Sequence, residues 1–339
     1  MNMKGLQETL CLGEMRVEGK LPVIYMPNEI FDDIQQHVKG NSSLVASVYA
    51  CYFLDCLLYR YAIYGINHQV LKVPIKKQIL GFTENSRVID PIIKKGGILN
   101  VMGYTKPESN FPISWSLDAV SNEPSFTLLK DKMVTDDGID YGYLLPESII
   151  KSVSNRTKIS YPIKAFERDH IDSNGEKSDL GTFYSISQTH GIELETFIKC
   201  MACPELGVEG FYLYALIKSK SDYYRKEWNI KLENLIKVSG LKSTKCKEVL
   251  LTLRQYRMIE VDNMPWVLDR PPGIITKANG YAANKCYLFS TEKIEVQKPI
   301  KTSWERCQKE YWYAIVDPQE DEALNYEYDH EQGQYPLPF

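Results

Sequence analysis

The stretch KSTKCKEVLLTLR, residues 242–254, sets two kinds of side chain on one helical period. Cys246, Val249, Leu250 and Leu253 recur at spacings of three and four, the buried stripe of an amphipathic helix. The opposite row carries Ser243, Thr244, Lys247, Leu251 and Arg254, with Lys242 and Lys245 at the helix start. Hydroxyls and cations so arranged suit an anion, because free N–H groups and the positive end of the dipole at a helix N-terminus favour phosphate. A solvated lysine face has the same composition. Arg270, Lys277 and Lys285 follow on a long loop and the strand expected to return from it. An earlier stretch, LGFTENSRVIDPIIKKGGILN (80–100), has a similar layout. Thr83, Asn85, Ser86 and Arg87 offer donors and acceptors there, and Lys106 lies in the next loop. Asp90 falls among them and repels phosphate. Pro91 removes the N–H that would bond the carbonyl of Arg87, so a helix must kink or restart at that point.

Other chemistries fail on spacing. GEMRVEGKL (13–21) has five residues between its glycines and Leu after Lys, whereas a phosphate loop needs four and then Ser or Thr. The histidines at 37, 68, 170, 190 and 330 form neither His-x-His nor His-x-x-Arg, so the 23 tyrosines point to packing and stacking rather than to a covalent DNA intermediate. Cys200-Met-Ala-Cys203 is the sole C-x-x-C, and the second pair that a structural zinc needs is missing nearby. The chain is therefore expected to be no enzyme and to need no cofactor or metal.

Composition bounds the rest. A length of 339 residues suits two or three domains at roughly 100–200 residues each. The 44% hydrophobic and 25% charged content is that of a soluble globular protein. Lys and Arg total 40 against 44 Asp and Glu, but seven of the acids lie from Asp317 onward, where there is no Lys or Arg. The remainder is mildly basic. Eight dispersed cysteines read as reduced thiols, and the amino end has no apolar run of a signal peptide, so a cytoplasmic location is expected. LVASVYACYFLDCLLYRYAIY (44–64) is apolar for the length of a membrane span, yet Asp55 and Arg60 interrupt it. It reads as a buried central helix, and no membrane is expected as a partner.

The elements that would hold these residues follow from capping and periodicity. Residues 1–20 read as an arm, LPVIYMPNEIF (21–31) as a strand and turn, 29–38 as a short helix, and 43–63 as a long helix capped by Asn41 or Ser42. Pro74 opens a helix that Gly81 closes; Thr83 caps a further one ending at Gly96-Gly97; ILNVM is expected to be a strand and FPISWSLD to return beside it. Residues 121–180 mix short apolar runs with polar breaks, and SNGEKSD (173–179) is the linker candidate, with a domain boundary near it. The second half repeats this outline: helices at 192–202 and 208–226, the latter amphipathic, then a strand and helix ending at Gly240. A helix capped by Ser243, the strand MIEVD, a long wing and the strand KCYLF (285–289) complete it.

Leu80-Gly81-Phe82 with Gly96-Gly97-Ile98-Leu99, and Ser239-Gly240-Leu241 with Arg257-Met258-Ile259, resemble the winged helix, seen twice. With YMPNEIF and ELGVEGFYLYALI before the long helices, residues 21–118 and 192–290 look similar to the tandem winged-helix replication initiators and related DNA-binding proteins of plasmids and phages. The resemblance implies a predominantly helical α+β fold: an arm (1–20), two winged-helix domains (21–120 and 181–300), a connecting region (121–180), and a C-terminal segment with an acidic aromatic tail (301–339). It implies sequence-specific contact with double-stranded DNA, in replication initiation or transcriptional regulation of a mobile element, with a homodimer and the replication or transcription machinery as further partners. A helix fits the major groove with its exposed face on base edges, and a wing approaches the backbone or minor groove. A non-catalytic winged-helix adaptor between proteins is the alternative. The acidic tail reads as a solvating end, or as an autoinhibitor lying over a basic face.

Overall fold

In the computed structural model, described over residues 1–15, 21–118, 123–130, 157–171, 175–224 and 227–316, two long helices, Ser42–Arg60 and Gly207–Tyr224, pack on each other at the centre. The first carries an unbroken buried run from Val45 to Tyr59, the second from Gly210 to Ile217. A helix apolar on all sides must be enclosed, so the amphipathic pattern expected at 208–226 is corrected: only its last turns reach the surface. The first helix is long and apolar enough to cross a membrane by length and composition, and 89% of that window is buried inside the protein. Its one carboxylate, Asp55, is matched by Lys76 Nζ at 2.9 Å.

Each long helix ends a unit of the same order. Strand Val23–Pro27, helix Ile30–His37 and Ser42–Arg60 form one; strand Thr189–Glu193, helix Leu194–Ala202 and Gly207–Tyr224 form the other. The two strands pair antiparallel, with Val23 opposite Glu193, Tyr25 opposite Gly191 and Pro27 opposite Thr189. Position 189 corresponds to 23, so Gly191 corresponds to Tyr25, and a local two-fold axis passes through that pair. A Cβ at Gly191 would lie 2.9 Å from Val23 Cγ1, which is why no larger side chain sits under these two exposed residues.

Around this hub the chain is mixed α and β, with five two-stranded sheets and one of three strands among the described residues. The α+β class holds; the predominance of helix does not. The amino end is not a free arm over its described part: helix Met3–Thr9 packs on Leu194–Ala202 and buries Leu6, followed by Leu10, Leu12 and Met15. In the first half, Val73–Ile79 carries Pro74 at its start and ends at Gly81, φ +79°. The helix expected from Thr83 is absent. Residues 83–89 form turns, and only Asp90–Ile93 is helical, because the missing N–H of Pro91 is harmless only in a first turn. ILNVM is a helical turn, Ile98–Val101, rather than a strand. A five-residue apolar run has no decisive period, and here Asn100 donates to the carbonyl and hydroxyl of Thr105 and accepts from Gly96 N–H, closing the turn. Thr105–Glu108, expected as loop, is a strand paired with Ile159–Pro162, and Pro112–Leu117 pairs with Pro124–Leu128 instead of with ILNVM. The linker candidate is partly strand too, since Lys177–Leu180 pairs back on Glu167–Ile171. The acidic tail from Asp317 and all of residues 131–156 lie outside the described residues.

Candidate nucleic-acid interface

Trp228–Ile230, helix Leu232–Ser239, helix Ser243–Gln255, strand Ile259–Asp262, a loop over 263–278 and strand Asn279–Ala283 follow one another in the second half. The last strand lies in the middle of an antiparallel sheet, between Ile259–Asp262 and Trp228–Ile230. The returning strand was expected at 285–289 and is corrected to Asn279–Ala283. Gly280 and Tyr281 supply the buried positions, a Cβ at Gly280 would meet the Glu227 carboxylate at 2.4 Å, and Cys286–Leu288 is a 3-10 turn.

The helix Ser243–Gln255 buries Cys246, Val249, Leu250 and Leu253, the row read from the sequence. Each buried Val or Leu is worth about 1.5–3 kcal/mol, enough to fix which side faces out. Its approach is set by the turn before it. Gly240 has φ +65°, a left-handed conformation that favours glycine. The Ser239 carbonyl accepts from Tyr212 Oη at 3.0 Å, and Lys242 N–H donates to Ser42 Oγ at 2.8 Å. The helix is thereby pinned to both central helices. Its N-cap is Lys242 rather than Ser243 and makes no side-chain capping bond, and the first turn holds no acid. Its leading N–H groups are left open to an anion.

Ser243, Thr244, Lys242 and Lys247 are exposed, and Lys245 is half-buried beside Glu248 at 3.1 Å. Leu251 continues the outward row at 48% exposure. Arg254 differs. Its Nη2 donates to the Gln297 carbonyl at 3.1 Å, partial burial lowers its pKa from the usual guanidinium value, and Ile294 N–H bonds the carbonyl of Gln255. A strap over 290–297 crosses the C-terminal end of this helix, and Lys293 ties it to Glu205 at 2.7 Å. Sequence gave no signal for the strap, since its eight residues carry no period. A cavity of about 250 Å³ lies between the strap and the Ile259–Asp262 strand, lined by Arg254, Arg257, Glu260, Asn284 and Gln297 among others.

Arg270 and Lys277 are exposed on the loop, with Arg270 Nη1 donating to Thr276 Oγ1 at 3.3 Å. Lys285 is exposed but off the loop: Asn284 N–H bonds the Met258 carbonyl, which puts it beside the C-terminal end of the helix. The loop is braced on both flanks. Lys301–Thr302 runs parallel to Trp266–Val267, and Lys277 N–H donates to the Ala314 carbonyl beside a Thr276–Ile315 bridge.

The first half brings together no comparable face. Thr83, Asn85 and Arg87 are exposed and Ser86 half-buried, all in turns, so they do not share one helix side. Glu84 stands between them, and Asp90, which the sequence placed among the readers, pairs with Lys77 at 2.8 Å. Lys106 is exposed on a strand with its ammonium over the Tyr161 ring at 4.7 Å. Among the described residues no group of three or more His, Cys, Asp or Glu is placed to hold a metal ion. No protein-family model, curated protein or solved structure matches the chain.

Proposed function

We propose that this protein binds specific double-stranded DNA through a winged-helix unit formed by residues 228–283, as a non-catalytic, cytoplasmic replication initiator or transcriptional regulator of a plasmid, phage or other mobile element. The unit's order of strand, helix, helix, strand, wing, strand, with the last strand central, supports the winged-helix reading. The observation that carries the function is the open start of Ser243–Gln255: uncapped N–H groups, two hydroxyls, and Lys242 and Lys247 without a carboxylate partner among the described residues. Phosphate contacts there would fix the helix on the duplex, and the exposed hydroxyls would face base edges. Arg270 and Lys277 belong to the wing in this reading. The first half acts as a support, and Thr83, Asn85, Ser86, Arg87 and Lys106 are secondary contacts at most.

The adaptor reading draws on Leu251, an exposed leucine in the middle of the same face and better suited to an apolar partner. Selection from a random duplex pool with the purified protein separates the two. Enrichment of one motif, with affinity that falls as salt rises, is expected of the DNA binder. Repeated copies of the motif indicate an initiator and a palindrome a dimeric regulator. A pool without enrichment, bound equally weakly at all salt concentrations, would overturn the DNA reading and leave the adaptor.

A further inference from the structure

The braced wing exposes large apolar side chains that the duplex reading does not use. Trp266 is 66% exposed and Leu268 67%, and their N–H groups donate to the Ile300 and Thr302 carbonyls of one neighbouring chain segment, so the two side chains leave the same side of that ladder. Lys301 stands in register with Trp266 on the neighbouring strand, which puts its ammonium stem on that same side. Thr302, on the opposite side, is buried. Trp312 is 70% exposed and Tyr313 46%, in the turn that leads into the other flank of the wing.

The charge around these rings is one-sided. Residues 263–278 and 298–316 hold Arg270, Lys277, Lys298, Lys301, Arg306 and Lys309 against Asp269, Glu305 and Glu310. All three carboxylates are engaged, Glu305 by Lys309, Glu310 by Arg306, and Asp269 by the backbone N–H of Trp304. Lys298 and Lys301, which the duplex reading leaves unused, have no carboxylate partner among the described residues. An exposed indole beside unpaired ammonium groups meets the two needs of an unpaired strand, a π-face for a base and a cation for the phosphate. A regular duplex offers the indole no free base face, because its bases already stack on one another and parting them costs a few kcal/mol per step.

We propose that the Trp266, Leu268 and Lys301 side of the wing is a stacking platform for single-stranded DNA. The choice of DNA over RNA rests on the duplex reading above; the platform itself uses different side chains. A protein partner is the competing occupant of such a surface, and the unpaired cations favour the nucleic acid.

The test uses the full chain and a fluorescent thymidine oligonucleotide, followed by anisotropy at low and moderate salt. Binding that weakens with salt is expected, and Trp266→Ala should reduce the affinity about tenfold, within the range seen on losing one stacked base. Lys301→Ala should flatten the salt dependence, and Trp266→Phe should restore most of the affinity. Binding of the selected duplex by Trp266→Ala should stay as in the parent chain. Absence of oligonucleotide binding at low salt, or binding unmoved by Trp266→Ala, would overturn the platform. Loss of duplex binding alone, with the oligonucleotide still held, would instead count against the helix reading; a ribonucleotide oligomer preferred over the thymidine one would overturn the DNA assignment.

Discussion

Replacing Lys242 and Lys247 together by Ala tests the proposed interface at its most exposed point. Both side chains reach solvent and neither has an ion-pair partner among the described residues, so their loss strands no buried charge there. The fold should keep its stability within about 0.5 kcal/mol. If each cation neutralises one phosphate, the slope of log affinity against log salt becomes shallower by about 0.9 per contact, about 1.8 for two. Between 50 and 200 mM salt, a fourfold change, that slope difference amounts to about 1.1 decades. The advantage of the parent chain over the variant should thus shrink about tenfold across that range. Anisotropy of a labelled duplex carrying the selected motif measures it, with Lys4→Ala and Lys177→Ala together as a control of equal charge change on distant elements. Equal slopes for the parent and the Lys242/Lys247 variant would show that no phosphate sits at this helix start, and the reasoning would fail at its first step.

Arg254→Ala should leave duplex affinity within about twofold and cost on the order of 1 kcal/mol of stability, because its guanidinium is engaged by the Gln297 carbonyl; a tenfold loss of specific affinity would show that the strap yields on DNA. Lys76→Ala should cost about 3–5 kcal/mol in urea unfolding, since Asp55 is left charged and buried, whereas Asp55→Asn with Lys76→Met should recover much of it. A single-variant cost under about 1 kcal/mol would contradict this. His190 is buried with Nδ1 toward Asn28 Oδ1 and Nε2 toward Tyr49 Oη, and burial lowers its pKa to about 3. The unfolded chain then takes up a proton below about pH 6.5 that the folded one refuses, so stability falls by about 1.4 kcal/mol per pH unit from there toward pH 3. Urea midpoints at pH 7 and pH 5 should converge between His190→Gln and the parent by about 2 kcal/mol; a gap that does not change with pH would rule the titration out.

The second half was legible because its signals are local. Gly240 marks the left-handed turn, and the spacing of the 246/249/250/253 row is enough to set the outward face. The first half misled for equally physical reasons. Pro91 left a kink or a restart open, and of the two the helix restarts, at Asp90 with nothing helical before it from Thr83; ILNVM is too short for its period to separate strand from helix. What no local pattern carries is the antiparallel pairing of residues 23–27 with 189–193, or the strap and brace that the stretch after Asn284 supplies. These contacts join residues far apart in sequence, whose side chains have no distinctive spacing of their own.

The packing of Ser42–Arg60 against Gly207–Tyr224 has a consequence during synthesis. At about 5–20 residues per second the ribosome needs roughly 8–33 s to travel from residue 60 to residue 224. Throughout that interval the nascent Ser42–Arg60 segment lacks the helix that encloses it. A sequence apolar enough to pass the length and composition test for a bilayer anchor is then exposed until its enclosing helix has been made.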